Sequence, residues 1–293
     1  MNAPAMPPSS PAPGARQHAW LLAPGMLWML LFLLLPMLTM LCVSFWTQTT
    51  FTIEPTLTLD SWRAFFATPT YVGALWTTVS LWLITLLVCL LLGYPVALYI
   101  GLCVKNKTVQ TALLVLCVIP FWTPFLIRVL AWRPMLGSEG AINLLLMQFG
   151  VIDAPLQILL FSPLSVVIGM VQIYVVFMVG PVAFMLARID PGLIEAARDL
   201  GAGTGRILRT IVLPLSMPGV VVGAVFVSTM VLGEFATPAA LSGRKVNMLG
   251  NIIVTQVGSL KWAFAAVAGV ILTALTAAVV ALLLRLANLR EEL

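Results

Sequence analysis

The chain has 293 residues, of which 61% are hydrophobic and only 9% charged, with 15 Lys and Arg against 10 Asp and Glu for a net charge of +5. Soluble domains run about 45–50% apolar and about 25% charged, so this composition excludes an ordinary soluble globular domain. Its apolar runs are continuous and not alternating, which excludes a transmembrane β-barrel and predicts an all-α polytopic membrane protein with six spans; the positive charge reads as loop anchoring at a membrane face, not as a nucleic-acid footprint.

Residues 1–19 form a Pro-rich tail, with Pro4, Pro7, Pro8, Pro11 and Pro13 and the single histidine, His18, and this composition predicts disorder. The apolar run 20–46 is longer than a signal-peptide core and reads as an uncleaved first span opening a membrane domain that extends to residue 287. A Thr-rich outer segment, 47–68, leads to a second span over 70–103, expected to be interrupted at Gly93-Tyr94-Pro95. Lys105 and Lys107 mark a turn, and a third span covers 109–133 with Pro120 and Pro124 inside it. The outer loop 134–162 contains "EGAINLLLMQFGVID", read as a short amphipathic helix at the interface. The fourth span covers 163–187, the fifth 218–241 and the sixth 263–285, with an outer loop at 242–262 and a short tail over 288–293. Cys42, Cys89, Cys103 and Cys117 lie in or beside spans at spacings that match no metal motif, so they read as packing residues, with neither a metal site nor a disulfide. Six spans put both termini on one side. That side collects nine basic residues against six on the other, so the positive-inside rule places both termini in the cytoplasm.

Between the fourth and fifth spans, the loop 188–217 gathers Asp190, Glu195, Arg198, Asp199, Arg206 and Arg209. Asp190-Pro191 is a helix start, because the Asp side chain caps orphan N–H groups and proline fits the first helical position. Gly201 is a helix stop. The helix between them, about ten residues or roughly 15 Å, is too short to cross a bilayer. Glu195 and Asp199 stand four apart, and Ala196 and Ala197 let another backbone come close. A second short helix is expected from Thr204 to Leu213, ending at Pro214. From the residues alone, this loop is either a solvated charged face or a docking element.

A resemblance favours the second. Glu195-Ala196-Ala197, then Gly201 after three residues, then Ile211-Val212-Leu213-Pro214 after nine more resembles the EAA signature of ABC-transporter permeases at every fixed position. "PFWTPFLIRVLAW", "FGVIDAPLQIL", "EAARDLGA" and "LGEFATPAALSG" further resemble the spermidine/putrescine-type permeases, a likeness that runs from about residue 20 to 285. The resemblance implies the type I ABC importer permease fold. It also implies a coupling role for Glu195, Ala196, Ala197, Asp199 and Gly201 against cytoplasmic ATPase subunits. A second permease subunit, a periplasmic substrate-binding protein and membrane lipid complete the expected surroundings, in a bacterial inner membrane. The cargo so implied is a polyamine such as spermidine or putrescine; a permease for another small amine-containing or zwitterionic metabolite, and a non-transport membrane scaffold, are the alternatives.

The chain itself carries no nucleotide motif. "GAGTGR", Gly201–Arg206, is glycine-rich but lacks the Lys-Ser/Thr pair and the preceding strand of a phosphate loop, so no cofactor is expected and ATP belongs to a partner. No cluster of acids, bases or nucleophiles suggests catalysis. Glu234 is the one acid placed well inside a span, in "GEFATP", where Gly233 and Pro238 break the helix; a carboxylate at such depth faces a cavity or a partner, so Glu234 reads as a substrate-pathway residue or as a structural acid paired with Arg128. Trp122 and Trp132 are candidates for holding an organic cation by cation–π contact, or members of an interfacial aromatic belt. Tyr174 is a polar candidate for the pathway within the fourth span, and Asp153 for contact with the binding protein.

Overall fold

The computed structural model describes residues 24–50 and 52–288. The Pro-rich tail with His18, and the C-terminal tail after Asn288, lie outside those residues. Helix α1 spans Pro24–Val43. A hairpin of β1 (Trp46–Gln48) and β2 (Ile53–Leu57) follows, then α2 (Asp60–Ala67) and α3 (Pro69–Cys103). The middle of the chain holds α4 (Lys107–Trp122), α5 (Phe125–Leu130), α6 (Trp132–Leu136), α7 (Ala141–Gln148) and α8 (Pro163–Leu186). The last part holds α9 (Pro191–Asp199), α10 (Thr204–Leu232), α11 (Ala236–Leu241), α12 (Leu249–Gly258) and α13 (Trp262–Asn288). Among the described residues five helices are long and apolar enough to cross a membrane, and a sixth crossing results if the bent pair Lys107–Trp122 and Phe125–Gln148 is one span.

Several expected boundaries move, each for a local reason. The third span is not one rod over 109–133: the chain turns by 92° after Trp122. Pro124, without a backbone donor, sits in extended conformation at the bend, and α5 starts afresh behind it. Gly93-Tyr94-Pro95 does not interrupt α3, because Pro95 is carried inside the helix and Tyr99 N–H still donates to Pro95 O. Pro214 does not end the helix expected to stop there. A wide turn at Leu208–Val212, in which Leu213 N–H donates to Leu208 O five residues back, makes room for the proline ring, and α10 runs on to Leu232. The same device precedes Pro36 in α1, where Leu35 N–H donates to Leu30 O. The fifth span expected at 218–241 is broken at Gly233–Phe235. The outer loop at 242–262 contains α12, which the sequence reading missed. The amphipathic helix expected in 134–162 is α7.

The buried core lies where α3, α8 and α10 cross. Met170, Met178, Val182 and Val227 are wholly buried there. Lipid tails are as apolar as leucine, so these helices are held by close packing and polar contacts more than by escape from water. Glycines permit the approach: a Cβ at Gly219 would lie 2.7 Å from Pro181 O, and one at Gly223 would lie 2.8 Å from Met178 Sδ. Two side-chain hydrogen bonds cross the same helices. Trp82 Nε1 donates to Ser228 Oγ at 2.8 Å, and the Tyr94 and Ser216 hydroxyls meet at 2.9 Å. By contrast, the most apolar stretch of α1 buries nothing. The connection after α1 is tied across the fold by Gln48, whose Oε1 accepts from Ala263 N–H at 3.0 Å at the start of α13.

Candidate functional site

The charged loop folds as its cap signals predict. Asp190 Oδ1 accepts from Gly192 N–H at 2.9 Å, closing the start of α9. At the other end Gly201 takes φ +81°, its N–H donates to Arg198 O at 2.8 Å and Ala202 N–H donates to Ala197 O at 2.9 Å. That pair of bonds is a complete left-handed helix stop, and only glycine adopts the required backbone without a steric cost. Helix α9 has no fully buried residue. It leans on the body through half-buried Ile194 and Ala197, and displays Glu195, Ala196, Arg198 and Asp199. Leu200, at its tip, is 89% exposed.

The other candidate region lies at the far end of α10, roughly 44 Å along that helix from Thr204. Glu234 sits in the break between α10 and α11 and is only 5% exposed. Its Oε1 accepts from the backbone N–H groups of Phe235, Ala236 and Thr237 at 3.0, 2.9 and 3.0 Å. Its Oε2 accepts from the Tyr174 hydroxyl. The carboxylate therefore occupies the donor-rich start of α11, supplying the acceptor that a broken helix lacks. Asn251 Nδ2 donates to Phe235 O at 2.7 Å, and a Cβ at Gly250 would lie 2.7 Å from Glu234 O, so α12 clamps the break from behind. Ser165 Oγ and Arg133 Nε hold the end of α11 by donating to Leu241 O at 3.0 Å and Ala240 O at 2.8 Å.

Tyr174 forms one wall of a cavity of about 520 Å3 that is also lined by Phe121, Trp122, Arg128, Phe177 and Met230. The structure thus brings together two of the sequence-predicted residues, Trp122 and Tyr174, with Glu234 directly behind Tyr174. Trp122 is 80% exposed on the rim. Trp132 is elsewhere, half-buried against the main core in α6. Asp153 is exposed in the loop after α7, away from the cavity lining. That loop is fixed by a residue the sequence reading missed: buried Asn143 donates to Gly137 O at 2.9 Å and to Leu156 O, and accepts from Leu156 N–H at 2.8 Å. Arg128 was considered only as a partner for Glu234, yet its guanidinium lies over the Phe121 ring at 4.6 Å, and its Nε and Nη1 are buried without a hydrogen-bond partner. An arginine in the first turn after a proline break within an apolar run was the available signal. Among the described residues no group of three or more His, Cys, Asp or Glu could hold a metal ion.

Comparison with known proteins agrees with this architecture. The family model described as "Binding-protein-dependent transport system inner membrane component" matches residues 93–291. The chain is 35% identical over 253 residues to the spermidine/putrescine transport system permease protein PotB of Haemophilus influenzae, covering 85% of this chain and 87% of that protein. It is 36% identical over 248 residues to PotB of Escherichia coli strain K12, covering 84% and 89%. A crystal structure of a bacterial alginate ABC transporter, in complex with an alginate pentasaccharide-bound periplasmic protein, superposes with a TM-score of 0.71 at 18% identity, covering 92% of this chain and 93% of that one. At that identity the likeness is one of fold. The chain belongs to the family of binding-protein-dependent transport system inner membrane components, and is accordingly an ABC-importer permease: a multi-pass inner-membrane subunit that transports without catalysing, with ATP held by a partner ATPase.

Proposed function

We propose that the chain forms one half of the translocation pathway of a polyamine importer, moving spermidine, putrescine or a close analogue by alternating access. The cargo is carried over from the PotB relatives, which the chain matches over most of its length. In this reading both termini and α9 are cytoplasmic, residues 1–19 and 288–293 are tails flanking the membrane domain, and a second permease subunit faces this one across the pathway. A periplasmic binding protein delivers the cargo, with Asp153 in its docking surface. Trp122 and Tyr174 line the pathway, and Glu234 supports Tyr174 from behind. Trp132, packed against the main core outside the cavity lining, has no direct part in the pathway.

The observation that carries the coupling role is α9 itself. Its ends are fully capped, its spacing fits the EAA pattern, and it buries no residue of its own. A helix this short is marginal in isolation, so its full capping and outward-facing charges suit a rigid peg seated in an ATPase groove. Closure of the ATPase on ATP would then push α9 and rock the spans as rigid bodies. The test is reconstitution of the complete transporter with Leu200→Asp, measuring labelled spermidine uptake and binding-protein-stimulated ATP hydrolysis. Uptake should fall at least tenfold, as expected when a central interface anchor is lost. Wild-type uptake and coupling in that variant would overturn the role.

A further inference from the structure

We propose that in the assembled transporter Arg128 pairs with a carboxylate of the companion permease subunit across the pathway, and that the ammonium groups of the cargo exchange with this guanidinium for that carboxylate. The second half rests on the polyamine reading above; the first does not. Arg128 Nε and Nη1 are buried and have no acceptor among the described residues. A guanidinium in an apolar span is costly unless it meets an acceptor or a water-filled cavity. The acid nearest to hand is already committed: Glu234 receives three backbone N–H groups on one oxygen and the Tyr174 hydroxyl on the other. The Phe121 ring covers one face of the guanidinium, and the Arg128 side chain lines the cavity.

The surroundings indicate where the acceptor comes from. Arg128 lines the cavity whose rim carries Trp122, 80% exposed. An apolar groove of about 550 Å3 continues from it, sharing Phe121 and Phe177 and reaching Phe226, which is 45% exposed. Exposed Trp and Phe around a single Arg is the composition of a protein-interface centre, where desolvated arginines meet carboxylates. A polyamine has no anionic group to offer. The same charge logic gives the pair a purpose. This chain presents a cation, not a free acid, to the cavity, so the acid that recognises a polycation belongs to the companion. Arg128 then neutralises that acid while the pathway is empty, and an arriving ammonium that takes its place keeps the acid paired and leaves the guanidinium against the Phe121 ring at the open cavity.

The test uses the complete transporter in proteoliposomes, with Arg128→Lys. A water-soluble carbodiimide joins an amine to a carboxylate only when the two are in salt-bridge contact, and peptide mapping by mass spectrometry identifies the partner. An amide between position 128 and an Asp or Glu of the companion permease is expected, with a yield reduced several-fold by spermidine-loaded binding protein. An amide to Glu234 of the same chain, or none to the companion, would overturn the pair. An unchanged yield with spermidine-loaded binding protein would overturn the exchange alone. As a second arm, Arg128→Asp should lower uptake at least tenfold, and an Arg at the mapped companion position should restore it to within about threefold. No restoration, with the complex intact by size exclusion, counts against the pair. If the transporter carries no polyamine at all, the amide still reports on the ion pair, so the two readings fail separately.

Discussion

Glu234, nearly fully buried, sits at the break between α10 and α11. An acid in a broken span signals function by its cost, and that cost is here largely met locally. Oε1 closes the start of α11 and Oε2 takes the Tyr174 proton donor. Glu234→Ala should therefore destabilise the detergent-solubilised protein by about 2 kcal/mol or more, read as a lowered Tm, because three N–H groups lose their acceptor at once. Glu234→Gln keeps an oxygen for those donors and should cost less than half as much. A double-mutant cycle with Tyr174→Phe should show a coupling of about 1 kcal/mol between the two side chains. If Glu234→Gln leaves stability and spermidine uptake both unchanged, neither a pathway nor a positioning role stands. Steric need is as clear at Gly223. Gly223→Val drives a branched side chain into Met178 and should cost at least about 2 kcal/mol, or prevent folding altogether.

Helix α9 shows how much of an element can be read from its residues. Asp190, Pro191 and Gly201 gave its start, its first turn and its stop, and the structure adds the two bonds that complete the stop. Gly201→Val should loosen the C-terminal end by about 1–2 kcal/mol, since a β-branched side chain resists φ +81°. Spermidine uptake should fall while the melting of the membrane core changes little, because α9 touches that core only through half-buried Ile194 and Ala197 and has no fully buried residue. What failed to show in the sequence were the places where proline and helix coexist. Pro95 looks like an interruption and Pro214 like a stop, yet α3 and α10 pass through them. A lipid-facing backbone has no water to turn to, and before Pro36 and Pro214 the helix keeps going by widening one turn. The 92° bend after Trp122 was hidden for the opposite reason: apolar composition on both sides of Pro124 is the same whether the chain crosses the membrane or turns along it. Helix α12 was missed because ten half-apolar residues between spans resemble a loop. The cavity was half legible. Trp122 and Tyr174 carried aromatic and polar signals within apolar runs, but only the fold could bring α4, α5 and α8 together around Arg128.

The whole molecule divides into a tightly packed centre, α3, α8 and α10, and a loosely attached α1. Its orientation is testable directly. In a variant with Cys42, Cys89, Cys103 and Cys117 replaced by Ser or Ala, a membrane-impermeant maleimide should label Asp153→Cys in intact cells and Leu200→Cys only after permeabilisation. The reverse pattern would invert the topology and overturn the coupling role proposed for α9. Between α9 and the cavity runs α10, unbroken from Thr204 to Leu232. Its wide turn at Leu208–Val212 holds one residue more than a regular turn, so the surplus residue is absorbed there and the helix on either side keeps its heading. Deleting a single residue from the regular winding beyond it would swing α9 about 100° around the shaft. If the proposed coupling holds, that helix would remain folded and capped at both ends, yet aimed past the ATPase groove: a clutch disengaged by one residue, with every contacting side chain intact.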